Sequence, residues 1–174
     1  MNKKKLWAAL LAAVLLISAA TVTVLALAGK KPEAQSGEYY RKTVDRMDIA
    51  LSPTHFVFDK ETGGAEAFSL PLTLTLQKTE ADFYCKLLGV EVEGLTPDAV
   101  TVVDETGDGP LTKDGVFLPV RDGKAVPLTL SVTVDFTAEP ADALSPSLVL
   151  HYVSGLTKET ADERYLAIPL EIAF

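Results

Sequence analysis

Two histidines, one cysteine and one knot of acids are the residues of this 174-residue chain that could do chemistry. His55 and His151 both sit in apolar, strand-like runs and share no HxH or HxxxH spacing, so a zinc site would need the fold to bring them together with further ligands. A secreted metal-assisted or hydrolytic enzyme would use His55 or His151 with nearby carboxylates. The plainer reading of each is a structural imidazole. Serine catalysis through a nucleophile elbow would need a GxSxG sequence, and the chain has none. Ser154 beside Gly155 reads as a turn. Cys85 has no histidine or cation next to it in the alternating inward set Phe83, Cys85 and Leu87, which makes it a small buried residue and not a reactive thiol.

The acids Asp104, Glu105, Asp108 and Asp114 cluster around Gly107 and Gly109, and oxygen-rich loops of this kind hold calcium. Read as a twelve-residue calcium loop starting at Asp104, Asp108 and Gly109 fit. Thr106 stands where an acid or amide is usual, and Gly115 replaces the closing glutamate. A polar turn accounts for the loop, with Asp104, Asp108 and Asp114 as a calcium candidate set in an adhesin-like domain. Glu91 and Glu93, two apart on one strand, share a wet face that would suit a cation or a sugar, or simply solvent. No site residue is assigned for catalysis or for a cofactor, and no cofactor is expected.

The elements that must position these residues announce themselves by a period of two. Phe68, Leu70, Leu72, Leu74 and Leu76 alternate with Ser69, Pro71, Thr73, Thr75 and Gln77. Val126, Leu128, Leu130, Val132, Val134 and Phe136 repeat the pattern, and so do Leu166, Ile168, Leu170, Ile172 and Phe174. One dry and one wet face per strand is the signature of antiparallel sheets. Shorter strands are expected over 47–51, 55–58, 83–92, 100–103, 116–120 and 148–153, about nine in all. Across Gly89 the inward phase slips from Leu87 to Val90, which a β-bulge would absorb. Asp122 and Gly123 supply the positive φ angles of a tight hairpin, and TKETADER (157–164) is the one stretch that offers a helical turn. The prolines in LPLTLTL, VPLTLSV and IPLEI are expected at strand starts or sheet edges, because proline has no ladder donor.

Ahead of this body lies Leu6 to Ala28, 23 residues without a charge, enough to cross a bilayer. Residues 1–5 carry Lys3, Lys4 and Lys5, which stay cytoplasmic and send the C-terminal side out. The run is either an uncut signal-anchor or a signal peptide cut near Ala28. Its length exceeds a usual signal core and favours the anchor. Residues 29–38, GKKPEAQSGE, have linker chemistry, and 39–174 form one extracytoplasmic domain. Tyr39 and Tyr40 open that domain, either resting on the bilayer interface or packing beneath the first strand.

Beyond the leader, 13 basic residues face 24 acidic ones, a net of −11, so nucleic acid is excluded as a partner. A single cysteine excludes an internal disulfide, and Asn2 is the only asparagine, so the outer part offers no N-glycosylation acceptor; both fit a bacterial surface protein. No second apolar segment follows the last strand, so wall attachment at the C-terminus is not expected. The expected fold is an antiparallel, immunoglobulin-like β-sandwich of about seven to nine strands. It would be tethered to the membrane or secreted, and would bind a protein or glycan or serve as an adhesive or structural part of the envelope. The loops at Asp104–Asp114 and Pro140–Pro146 would make the contact.

Overall fold

The structure is a computed structural model that describes residues 35–59, 64–105, 109–110 and 114–174. The apolar run Leu6–Ala28 and Asp108 lie outside the described residues. Among those described, no helix is long and apolar enough to cross a membrane.

The described chain is all-β. In order it forms β1 (Gln35–Gly37), β2 (Tyr40–Val44), β3 (Met47–Ser52), β4 (His55–Val57), β5 (Glu66–Lys78), β6 (Tyr84–Glu93), β7 (Ala99–Asp104) and β8 (Gly109–Pro110). There follow β9 (Val116–Phe117), β10 (Val120–Arg121), β11 (Lys124–Ala125), β12 (Leu128–Ala138), β13 (Ala143–Leu144), β14 (Ser147–Gly155), β15 (Asp162–Pro169) and β16 (Glu171–Ala173). A 3-10 turn at Lys158–Thr160 occupies the stretch read as a helical turn.

Four sheets result, in the orders β2-β3-β5-β12-β7-β8, β15-β14-β6-β9, β1-β4-β16-β13 and β10-β11. Among the described residues, all pairings are antiparallel except that of β16 with β4. The period-two runs become the long central strands because each can bury one face. Leu70, Leu72, Leu74 and Leu76 of β5 face the same core as Leu130, Val132, Val134 and Phe136 of β12, from the six-stranded sheet. Cys85, Leu87, Leu148, Leu150 and Tyr152 close that core from β6 and β14. Each such side chain taken from water contributes roughly 1.5–3 kcal/mol, so the alternation fixes which face turns inward. Phe58, Phe68, Phe136 and Phe174 fill one region with ring centroids 5.0–5.9 Å apart.

The structure departs from the pattern reading where pairing, not periodicity, decides. Gln35–Gly37, inside the stretch read as linker, pair with β4. The two strands expected over 47–51 and 55–58 form as β3 and β4, on either side of the cis peptide between Ser52 and Pro53, and they join different sheets. The expected strand 116–120 becomes two short ones, and the last strand divides at Leu170. The phase slip is a bulge as expected: His151 faces Gly89 and Tyr152 faces Leu87, leaving Leu88 as the extra residue. Asp122 and Gly123 take φ of 51° and 71° and turn β10 into β11.

Pro71 is not at a strand start but inside β5, opposite Thr133. It is tolerated there because the last β3 pair is Ser52 with Thr73, so β5 has no β3 partner at Pro71. Pro127 immediately precedes β12, and Pro169 ends β15 at the edge of its sheet, as the sequence suggested. Ser154, read as a turn, lies within β14 and is buried.

Candidate functional site

The structure places the two histidines on different strands with different carboxylates. His55 is on β4, its Nδ1 3.2 Å from Glu171 Oε2 on the neighbouring β16. His151 is on β14, its Nε2 3.4 Å from Glu163 Oε2, and its ring stacks on Tyr165 at 4.4 Å between centroids. Of the acidic loop, Asp104 ends β7 and Asp114 is exposed in a turn. Among the described residues, no group of three or more His, Cys, Asp or Glu side chains converges as a metal site would require. Cys85 is buried with its Sγ 3.8 Å from the Met47 sulfur, and burial above all pushes its thiol up to about 11. Glu91 and Glu93 are exposed on β6.

Two concavities are built by residues that the sequence did not single out as a group. The first has a volume of about 210 Å³ and is lined by Asp45, Arg46, Phe83, Ser154, Leu156 and Arg164, with Gly155. Asp45 organises it. Asp45 and Arg46 form the β2–β3 turn with φ of 50° and 60°, a tight two-residue hairpin made without glycine. There Asp45 Oδ2 accepts from the Tyr152 hydroxyl at 2.7 Å, and Oδ1 accepts from Arg164 Nη1 at 3.1 Å. Burial, and then the hydrogen bond to Asp45, push the Tyr152 hydroxyl well above the usual phenol range. Arg46 reaches Glu80 at 3.2 Å and lies over the Phe83 ring. The ionic groups of this hollow satisfy one another, which gives it a structural role: it ties the β2–β3 hairpin to β14 and β15.

The second concavity, about 330 Å³, is a trough on the outward face of the six-stranded sheet. Its origin is the sequence of β3. With Met47, Ile49 and Leu51 inward, β3 turns Asp48, Ala50 and Ser52 outward, and the last two are short. Taller side chains stand on both sides. Arg41 on β2 pairs across from Ala50, and Ala50 in turn faces Thr75 of β5. Tyr39 precedes β2 at the same rim and is 75% exposed; Thr73 and Gln77 complete the β5 wall. Of the two tyrosines read as opening the domain, Tyr40 packs against the core and Tyr39 does not.

Two polar groups of the trough are held in place. Asp48 accepts from the Thr43 hydroxyl, and Gln77 Nε2 donates to the Ala125 carbonyl at 3.1 Å. Such fixed side chains pay less ordering entropy when a ligand arrives. The sequence carried a signal for this site, the alternating outward sets of β3 and β5. Only the strand register shows that the members are neighbours.

No protein-family profile matches this chain, and no curated protein matches it in sequence. Among solved structures it is similar to the CooA pilin subunit from enterotoxigenic Escherichia coli, with 12% identity and a TM-score of 0.35 over 74% of this chain and 97% of the pilin. At that value the likeness carries no inference about function.

Proposed function

We propose that this chain is a membrane-tethered or secreted extracytoplasmic module of immunoglobulin-like topology, with a non-enzymatic binding, adhesive or structural role at the cell envelope. The immunoglobulin-like part is supported by strand order. β3, β5, β12 and β7 lie side by side in the sequence positions of strands A, B, E and D, while β6, β14 and β15 follow the order C, F, G. Export is supported by the 23 charge-free residues of Leu6–Ala28 behind three lysines.

The observation that carries the binding role is the trough on the six-stranded sheet, whose Asp48 and Gln77 are already fixed by neighbours. The partner is a protein or glycan, and the acidic body disfavours nucleic acid. Protease added to intact cells that express the full chain tests the compartment. Digestion of the domain without lysis, or its recovery from the medium, is expected. A full-length chain protected in the cytosol would refute the proposal.

A second reading, a hydrolytic enzyme, draws on the contacts of His55 with Glu171 and of His151 with Glu163. It requires a hydrolytic activity of the purified chain that His55→Ala or His151→Ala abolishes.

A further inference from the structure

We infer that the trough along β3 binds a neutral saccharide, which rests on the reading of the domain as a binding module. Shape comes first. About 330 Å³ lies at the small end of ligand sites and accommodates about one or two pyranose rings. The trough is open along β3 and walled by β2 and β5, a form that suits a chain of rings laid along it.

Charge then restricts the occupant. The lining holds one cation, Arg41, and one anion, Asp48, so it is neutral within a body whose net charge beyond the leader is −11. An anionic ligand would meet that surrounding field, and a cation would meet Arg41 in the same lining. An apolar occupant, such as a lipid chain or a hydrophobic helix, would strip water from Ser52, Thr73, Thr75 and Gln77 without replacing their hydrogen bonds.

A sugar ring meets both demands because it carries C–H faces and a belt of hydroxyls. Tyr39 offers an exposed aromatic wall, and the Ala50 methyl offers an apolar floor. Same-face residues recur every ~6.8 Å along a strand and about 4.8 Å across strands. Arg41, Asp48, Thr75 and Gln77 are therefore spaced to reach different hydroxyls of one or adjacent rings. Arg41 donates, Asp48 accepts, and Thr75 and Gln77 serve in either sense.

The test is calorimetric titration of the full-length chain, held in a detergent whose headgroup is not a sugar. The probes are maltopentaose, cellopentaose and chitopentaose, with pentagalacturonate as the anionic control. At least one neutral oligomer should bind, and pentagalacturonate should bind more weakly. Tyr39→Ala should lower that affinity about tenfold, Tyr39→Phe should retain it, and Arg41→Ala and Asp48→Ala should each weaken it. All variants should keep the parent melting temperature, and Tyr165→Ala on the other sheet should bind as the parent does. Absence of heat from all three neutral oligomers at about 10 mM overturns the inference, as does binding indifferent to Tyr39→Ala and Arg41→Ala. Binding lost in Tyr165→Ala instead would overturn the trough but leave the module reading standing. A cytosolic location would overturn the module reading but leave the trough's affinity to be judged on its own.

Discussion

The Tyr152 hydroxyl donates to Asp45 Oδ2 at 2.7 Å, joining residues 107 apart in sequence. Tyr152 is almost wholly buried on β14, and Asp45 sits in the β2–β3 turn, so one hydrogen bond fastens a hairpin of one sheet to the central strand of another. Tyr152→Phe keeps the ring and removes the donor, and should cost about 1.5–3 kcal/mol, the usual worth of a hydrogen bond to a charged acceptor. Asp45→Ala should cost more. It also loses Arg164 and places alanine at a positive φ that aspartate tolerates. Urea unfolding of both variants measures this, and parent-like midpoints would show the fastening to be idle.

Cys85 gives the stability a dependence on alkaline pH. Its thiol is raised from 9.0 to about 11 chiefly by burial, so the folded state favours the protonated form. The resulting stability is fully present below about pH 9 and is lost as pH rises toward about 11, a change of roughly 2–3 kcal/mol. Tyr152, raised further, adds to the loss at the upper end. Cys85→Ala should flatten the thiol's share of the slope. Identical pH profiles for parent and variant would contradict the assignment.

Two glycines should answer differently to alanine. Gly115 has φ of +73°, and a Cβ there would strike the Leu87 carbonyl oxygen and crowd Leu88 Cα. Gly115→Ala should therefore destabilise by about 2–4 kcal/mol. Gly89 has open space around it, and Gly89→Ala should cost no more than about 1 kcal/mol although it adjoins the bulge. Chemical denaturation distinguishes the two, and equal costs would be the contrary result.

The acidic loop should behave as a polar turn. A ligand present at a hundred times its Kd stabilises by about 2.7 kcal/mol, which a melting curve reveals. With Thr106 where a calcium loop usually has an acid or amide, and Gly115 in place of the closing bidentate glutamate, millimolar calcium should leave the melting temperature of the chain unchanged. A rise of several degrees, abolished by Asp104→Ala, would establish a calcium site.

Much of the body was legible because its long strands each have one dry face. The inward sets of β5 and β12, and Ile168, Leu170 and Ile172 of the last run, follow directly from alternation, and the bulge announced itself as a phase slip at Gly89. What alternation cannot specify is partnership. Pro71 reads as a strand start or an edge position, and only the end of β3 at Ser52 shows how it fits inside β5; Ser154 reads as a turn until it is seen paired within β14. The contacts of Asp45 with Tyr152 and Arg164 span 107 and 119 residues and have no local signature. The trough was hidden for a related reason. Ala50 and Ser52 are unremarked small residues until Arg41 and Thr75 are set on either side of them.

The most direct measurement is the map of amide chemical-shift changes when the neutral oligosaccharide that binds best is titrated into the isotopically labelled chain. The account predicts saturable changes concentrated at Tyr39–Thr43, Asp48–Ser52 and Thr73–Gln77, with β14 and β15 unmoved. Changes centred on His151 and Tyr165, or none at any concentration, would contradict it.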